Sequence, residues 1–374
     1  MQRLGCSFCL NQAMTTSQPP PDHASRVELF LELSVLRYSI DPRTAVWGAP
    51  YPHDSAERRQ TAAALLAEDP AIARDSIHTA VAAHDVELVR HFLSSSSVAA
   101  GIGSDTPSAS TAASSAAATD THPFDGWQPL MRLAYRRLPP PAGPRRRASA
   151  QTGRNDGEDE ADLEDTPALV IAKLLLEAGA DPSGGALRGD AANFHALTGV
   201  IGGGEAGQPA HPQAEALARL LLEYGAEPLD GQALYNTSLV FHGDEEGSPA
   251  GAGDKGGTRH HDDEDDDGGD EVDDDDNVFW LDFLWAACEK RYISISQHGT
   301  AHGSTETEAR DLDTRAAGEH VRKRWREPMA DGTLPAPPLE YLLESAVMQR
   351  QPRRTAWLVE HGADADSTTG ARFA

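Results

Sequence analysis

Three stretches decide how this chain folds: LLLEAGADP at 174–182, LLLEYGAEP at 220–228 and WLVEHGADA at 357–365. Each ends an apolar run and then places Gly, Ala and an acidic residue in the same order. The physics is local. Gly179, Gly225 and Gly362 suit the left-handed backbone conformation that ends a helix. The alanine is small enough to pack under the turn, and the carboxylate after it bonds nearby backbone donors. Three copies of one helix terminus predict three copies of one structural unit.

Working outward, short helical patterns recur. Residues 26–38 (RVELFLELSVLRY) put Val27, Phe30, Leu31, Val35 and Tyr38 on one face. Residues 55–67 follow Asp54 or Ser55 as the N-cap. Further helices are predicted over 76–83, 86–93, 127–138, 167–178, 193–201, 212–224, 279–291, 339–350 and 353–361. No alternating strand pattern competes with them, so the chain reads as all-α, built of antiparallel helix pairs.

Between the helices lie segments that bury too little apolar surface to offset the entropy of ordering them. A tail is expected over 1–22, a helical cap and first unit over 23–93, and a small-residue linker over 94–122. Further units are expected over 123–241, with an Arg-rich and then acidic insertion near 139–166. Residues 242–277 carry sixteen Asp or Glu against Lys255 and Arg259, a net charge of −14. The last units fall in 278–366, with a polar insertion near 294–337, and 367–374 reads as a tail.

The 374 residues carry a net charge of −27, which disfavours a grip on a nucleic-acid backbone. No run of eighteen apolar residues is present, so no membrane span is expected. The start of the chain has no long apolar core, and no signal peptide is expected. Cys6, Cys9 and Cys288 are too few for a disulfide framework. A reducing intracellular compartment, cytoplasmic or nuclear, is the simplest expectation.

The Gly-Ala-Asp phrase resembles the end of an ankyrin repeat, and the rest of that repeat has counterparts upstream. DSIHTAVAAHDVELVRHFL at 75–93 is similar to the ankyrin core, with Ile77 and His78 at its Leu-His pair and Ala80 and Val81 at its small pair. GWQPLMRLA at 126–134 matches at Pro129 and Leu130, and Leu343, Ala346 and Val347 fall at the right distance before Gly362. The departures are Gln128 for Thr, Met131 for His and His84 for Gly. The ankyrin period is about 33 residues, whereas Gly179 to Gly225 is 46 and Gly225 to Gly362 is 137. Long insertions account for the excess. The resemblance implies a solenoid of about five or six degenerate ankyrin-like helix-turn-helix units interrupted by disordered loops. Residues 367–374 resemble the start of a further unit, with no complete capping repeat expected after it.

What the resemblance implies for function is non-enzymatic protein binding through hairpin tips and the concave face. By position it assigns partner contact to Trp127, Tyr135, Arg136, Met348 and Gln349, and Trp, Tyr and Arg are hot-spot residue types. It gives His78 a structural role, hydrogen-bonding the neighbouring turn. The partner is an unidentified protein; an alternative is that the acidic stretch holds a basic protein such as a histone or a ribosomal protein.

The residues themselves offer little chemistry. Cys6 and Cys9 have the spacing of half a zinc knuckle, but no second pair follows. His260 and His261 beside the acidic run lack the order of a calcium loop. GVIGGGE at 199–205 is Gly-rich but follows a helix and lacks Lys, so it is no phosphate cradle. No cofactor and no metal are expected. RRRAS at 145–149 makes Ser149 a candidate phosphorylation site. Arg322, Lys323, Arg324 and Arg326 around Trp325 read as a basic helix face. An enzymatic alternative places a site in 23–60, around Asp41, His53 and Asp54 with Trp47 and Tyr51.

Overall fold

A computed structural model describes residues 22–36, 54–99, 116–123, 125–138, 166–184, 194–204, 208–238, 278–297, 306–330 and 332–368. The described residues are helical; the β contacts among them are two isolated bridges, Val35 with Arg136 and Gly203 with Gln208. The expectation of an all-α chain holds.

Local chemistry starts most of the helices. Asp22 caps α1 (His23–Leu33) by accepting from the Ser25 amide at 2.8 Å, and Ser55 caps α2 (Ala56–Glu68). Ser76 and Thr79 form a capping box at the head of α3 (Ile77–Ala82), and Asp85 accepts from Leu88 at the head of α4 (Val86–Ala99). Proline, whose missing N–H costs nothing in a first turn, opens α5 (Pro129–Ala134) and α6 (Pro167–Glu177). It also opens α12 (Pro338–Met348) and α13 (Pro352–Glu360). Between them lie α7 (Ala196–Ile201), α8 (Ala214–Glu223), α9 (Gly231–Ser238), α10 (Phe279–Gln297) and α11 (Glu306–Trp325). Asp230 caps α9 through the amides of Gln232 and Ala233.

The helix ends repeat one geometry. After α6, α8 and α13 the chain turns at Gly179, Gly225 and Gly362 with φ of 96°, 99° and 102°. In each turn the glycine amide reaches back three residues, as Gly225 does to the Leu222 carbonyl at 3.1 Å. The following alanine amide reaches back five, as Ala226 does to Leu221 at 2.9 Å. Ala180, Ala226 and Ala363 are buried beneath the turns. The same pair of hydrogen bonds closes α3 and α12, where His84 (φ 58°) and Arg350 (φ 57°) stand in the left-handed position.

The helices pair and the pairs adjoin. α3 packs on α4, α5 on α6, α7 on α8, α9 on α10 and α12 on α13. The first members also touch in succession, α3 to α5 to α7 to α9 to α12, and among the second members α4 touches α6 and α6 touches α8. The result is an inner row and an outer row around one continuous apolar core that runs from Val35 to Ala363. Helices α1 and α2 pair ahead of the rows over a smaller core of their own, including Phe30, Leu31, Ala62, Ile72 and Leu138. Connections within pairs differ. Three residues join α3 to α4 and α12 to α13, whereas the middle pairs are joined by 135–166, 202–213 and 239–278.

Several expectations change. α1 stops at Leu33, because residues 34–36 leave the helix to bridge 135–137. α4 runs on to Ala99, into the expected linker, and a helical turn occupies 116–118. The polar stretch 294–337 contains α11, which buries Ala317, Val321 and Trp325 against its surroundings. Its basic residues Arg322, Lys323 and Arg324 lie in the last turn, where they complement the helix dipole. α9 was not expected at all. The segment 1–21, the Arg-rich insertion with Ser149, and the acidic insertion 242–277 lie outside the described residues. Among the described residues no helix is long and apolar enough to cross a membrane.

Candidate partner-binding face

The inner row has two differently treated halves. Helices α3, α5 and α7 are buried along their whole length. Four buried arginines close helix C-terminal ends in this half, Arg58 and Arg132 at α1 and Arg136 and Arg137 at α3, α5 and α7, where helices leave carbonyls without internal partners. Arg58, 1 % exposed, donates to the Glu32 carbonyl at 2.6 Å and the Val35 carbonyl at 3.4 Å, and pairs with the Glu32 carboxylate. Arg132 donates to the Leu31 carbonyl at 3.2 Å and to the Asp125 carboxylate. Arg136 donates to the carbonyls of Ala82, at 2.8 Å, and Leu138. Arg137 donates to Gly199 at 2.7 Å, Pro209 at 3.0 Å and Ala134 at 3.2 Å. A planar guanidinium with several donors suits this task, and the negative ends of α1, α3, α5 and α7 favour its charge. Burial pulls the Arg136 pKa down to about 9, which still leaves it charged at neutral pH.

Histidines share this half. His78, His84 and His211 are buried, and desolvation drives their pKa values down to about 3, 2 and 3. The charges of Arg132, Arg136 and Arg137 add to the effect. His78 does not bond the neighbouring turn, which corrects the expectation. Its ring nitrogens have no hydrogen-bond partner, its Nε2 stands 3.9 Å from Asp120, and its ring meets His122 edge-on at 5.2 Å.

The structure also corrects three of the five expected contact residues. Trp127 is buried, its ring 4.9 Å from Tyr135 and 5.3 Å from the Arg132 guanidinium. Tyr135, 1 % exposed, donates to the His195 carbonyl at 3.0 Å. Its ring lies where a Cβ on Gly199 would sit, 2.2 Å away, which explains that glycine within GVIGGGE. Arg136 is spent on the carbonyls of Ala82 and Leu138. These side chains join neighbouring pairs, so none is presented to a partner.

The C-terminal half is open. On α12, Leu339, Leu342, Leu343 and Ala346 face inward, and Tyr341, Glu344, Val347 and Met348 form the outward stripe at helical spacing. Val347 is 48 % exposed and Met348 70 %, so Met348 keeps its expected surface position. Tyr341 stacks on Tyr235 of α9, with ring centroids 6.1 Å apart and planes at 22°. Gln349 is half-buried: its Nε2 donates to the Ser238 carbonyl at 2.6 Å, and Ser345 Oγ donates to the same carbonyl at 3.1 Å. Gln349 therefore ties α12 to α9 beside the stripe. Sequence reasoning missed Tyr235, Tyr341 and Glu344. The spacing of 341, 344 and 348 carried the signal on α12; nothing in GQALYNTS distinguished Tyr235.

The remaining candidates are scattered. Asp54 accepts from Arg59 at 2.8 Å, its backbone amide donates to Gln208, and burial raises its pKa. Asp41, Trp47, Tyr51 and His53 lie outside the described residues, as do Cys6, Cys9, His260 and His261. Burial pushes the Cys288 thiol up to about 12, so it is not a nucleophile at neutral pH. Among the described residues no group of three His, Cys, Asp or Glu is placed to hold a metal ion. No protein-family model, curated protein or solved structure matches the chain.

Proposed function

We propose that this chain is an intracellular, non-enzymatic scaffold that binds a protein partner through an ankyrin-like stack of helix pairs. The observation that carries the reading is the exposed pair Val347 and Met348 on α12, flanked by the partly buried Tyr341 and Tyr235, on an inner row whose α3, α5 and α7 are buried throughout. Tyrosine and methionine offer large apolar contact at modest ordering cost, and tyrosine is enriched where interfaces concentrate their energy. The shared turn geometry after α6, α8 and α13 supports the ankyrin-like assignment, as does the succession of inner and outer neighbours. The enzymatic alternative gains no support from Asp54, whose carboxylate is taken by Arg59. The acidic insertion as a holder of basic proteins remains a second reading, favoured by its net charge of −14.

Photo-crosslinking from the stripe tests the proposal. A crosslinking residue at Met348 is expected to give discrete protein adducts in cell extract. The same probe at Lys173, exposed on α6, is expected to give none of them. Equal labelling from the two positions overturns the reading.

A further inference from the structure

We infer that the end of the rows formed by α12 and α13 docks a second copy of this chain, like end to like end, about a two-fold axis. The inference rests on the protein-binding reading and names the partner. Three observations carry it. First, several helix ends carry an apolar residue whose carbonyl accepts an amide from three residues on: Val81, Leu133 and Val347 on inner helices, Leu176, Leu222 and Val359 on outer ones. In pairs that another pair follows, Val81, Leu133 and Leu176 are buried and Leu222 is half-buried. On the last pair Val347 is open, and Val359 is 43 % exposed. Among the described residues no helix pair follows α13; the turn Ala365–Thr368 lies against α12. The last pair thus presents apolar positions of the kind that earlier pairs bury, and a helix pair is the shape that covers them.

Second, the exposed large apolar side chains among the described residues are Tyr224, Phe279, Ile295, Val347, Met348 and Val359. Half of them fall on this pair and none on α1 or α2, which adjoin the opposite end of the rows. The open end therefore meets its own counterpart rather than the head of another copy. Third, charge selects the orientation. The exposed residues Arg353, Ala356, Val359 and Glu360 of α13 follow helical spacing, with Arg353 beside the turn from α12 and Glu360 at the far end. On α12 the order repeats, with Arg350 in the turn and the half-buried Glu344 farther from it. The face is basic at the turn, acidic away from it, and apolar between. A two-fold axis running across the helices sets each helix antiparallel to its own copy, so Arg353 faces Glu360 and Glu344 faces Arg350, each contact made twice. An axis running along the helices sets like charges together. The net charge of −27 per copy opposes approach at long range. At about 0.15 M salt that repulsion is screened beyond roughly 8 Å, and contacts within the interface keep their worth.

Sedimentation velocity on the full chain at about 0.15 M salt, from roughly 1 to 100 µM, tests the inference. The unaltered chain is expected to pass from one copy to two across that range. V347S/M348S, changed at exposed positions, is expected to weaken association at least about tenfold. R353E and E360R are each expected to weaken it about tenfold, because each sets like charges face to face in both halves of a two-fold contact. Mixing R353E with E360R restores opposite charges in both halves, so the mixture is expected to recover the association of the unaltered chain. A loss of folding does not recover on mixing, which separates the two causes. An unaltered chain that stays single at about 100 µM overturns the inference, and so does a dimer that ignores V347S/M348S. A dimer whose charge variants fail to recover on mixing overturns the two-fold. If the chain stays single while position 348 still gives specific adducts with other proteins, the inference falls and the protein-binding reading stands. Equal labelling from positions 348 and 173 fells the reading itself.

Discussion

The two halves of the inner row are built from the same kind of helix, yet they meet their surroundings differently. Around α3, α5 and α7 every side chain is withdrawn, and buried arginines and neutral histidines fill the helix ends. Around α9 and α12 the corresponding ends are tied by neutral side chains, Asn236 to the Gly202 carbonyl after α7 and Ser345 and Gln349 to the Ser238 carbonyl, and apolar side chains of α12 are left facing solvent. The difference teaches where stability and where recognition reside. The closed half invests ionisable groups in holding pairs together. Where α12 meets α9, the open half is tied by neutral hydrogen bonds, and it keeps its apolar surface for other uses.

Acid should break this comparison most forcefully. The folded pKa values of His78, His84 and His211 lie below the ordinary 6.5, so the unfolded chain binds protons first. Their contribution is whole above about pH 6.5 and is lost as pH falls toward the folded values. Together they remove roughly 4 kcal/mol per pH unit between about pH 6 and pH 4. Hydrogen exchange against pH should show α3, α5 and α7 losing protection before α12 and α13. Uniform loss along the chain would show that the halves are not independent.

Arg132→Met comes next. It leaves the Asp125 carboxylate buried beside Trp127 without its cation, at an expected cost of about 3–5 kcal/mol by urea denaturation. Smaller effects sharpen the picture of the turns. A Cβ on Gly225 meets nothing within 4 Å, so Gly225→Ala registers only the left-handed backbone, about 1–2 kcal/mol of destabilisation. Arg350→Gly is the mirror experiment, relieving φ of 57° at an exposed side chain, with stabilisation of up to about 1 kcal/mol. At the bottom of the scale, Met348→Ser should leave the urea midpoint within about 0.5 kcal/mol of its starting value. A larger fall would mean that the stripe is part of the core.

The helix termini were legible in the sequence because one residue type, glycine, is strongly favoured by one backbone conformation. His84 and Arg350 occupy that same conformation, and the match to the repeat survived them because the flanking apolar residues kept their spacing. α9 was hidden for the opposite reason: GQALYNTS offers Ala233 and Leu234 to the core, too few to show a period. α11 is highly polar and, among its described residues, buries Ala317, Val321 and Trp325, while His320 stacks on Tyr292 of α10. The candidate face was half legible. Met348 follows from its position in the repeat resemblance, but Trp127 and Tyr135 look like surface aromatics until the neighbouring pair is in place. No pattern in the sequence marks Arg132, Arg136 and Arg137 as buried.

The long connections within the middle pairs all leave from the ends of inner helices, α5, α7 and α9. Closing a longer loop there adds only about 0.6 kcal/mol per doubling of its length. That edge is thus a seam at which foreign sequence can be grafted without recutting the rows. A reporter domain spliced between Ser238 and Val278 would ride beside the stripe as cargo, and the molecule would become a sensor for whatever settles next to it.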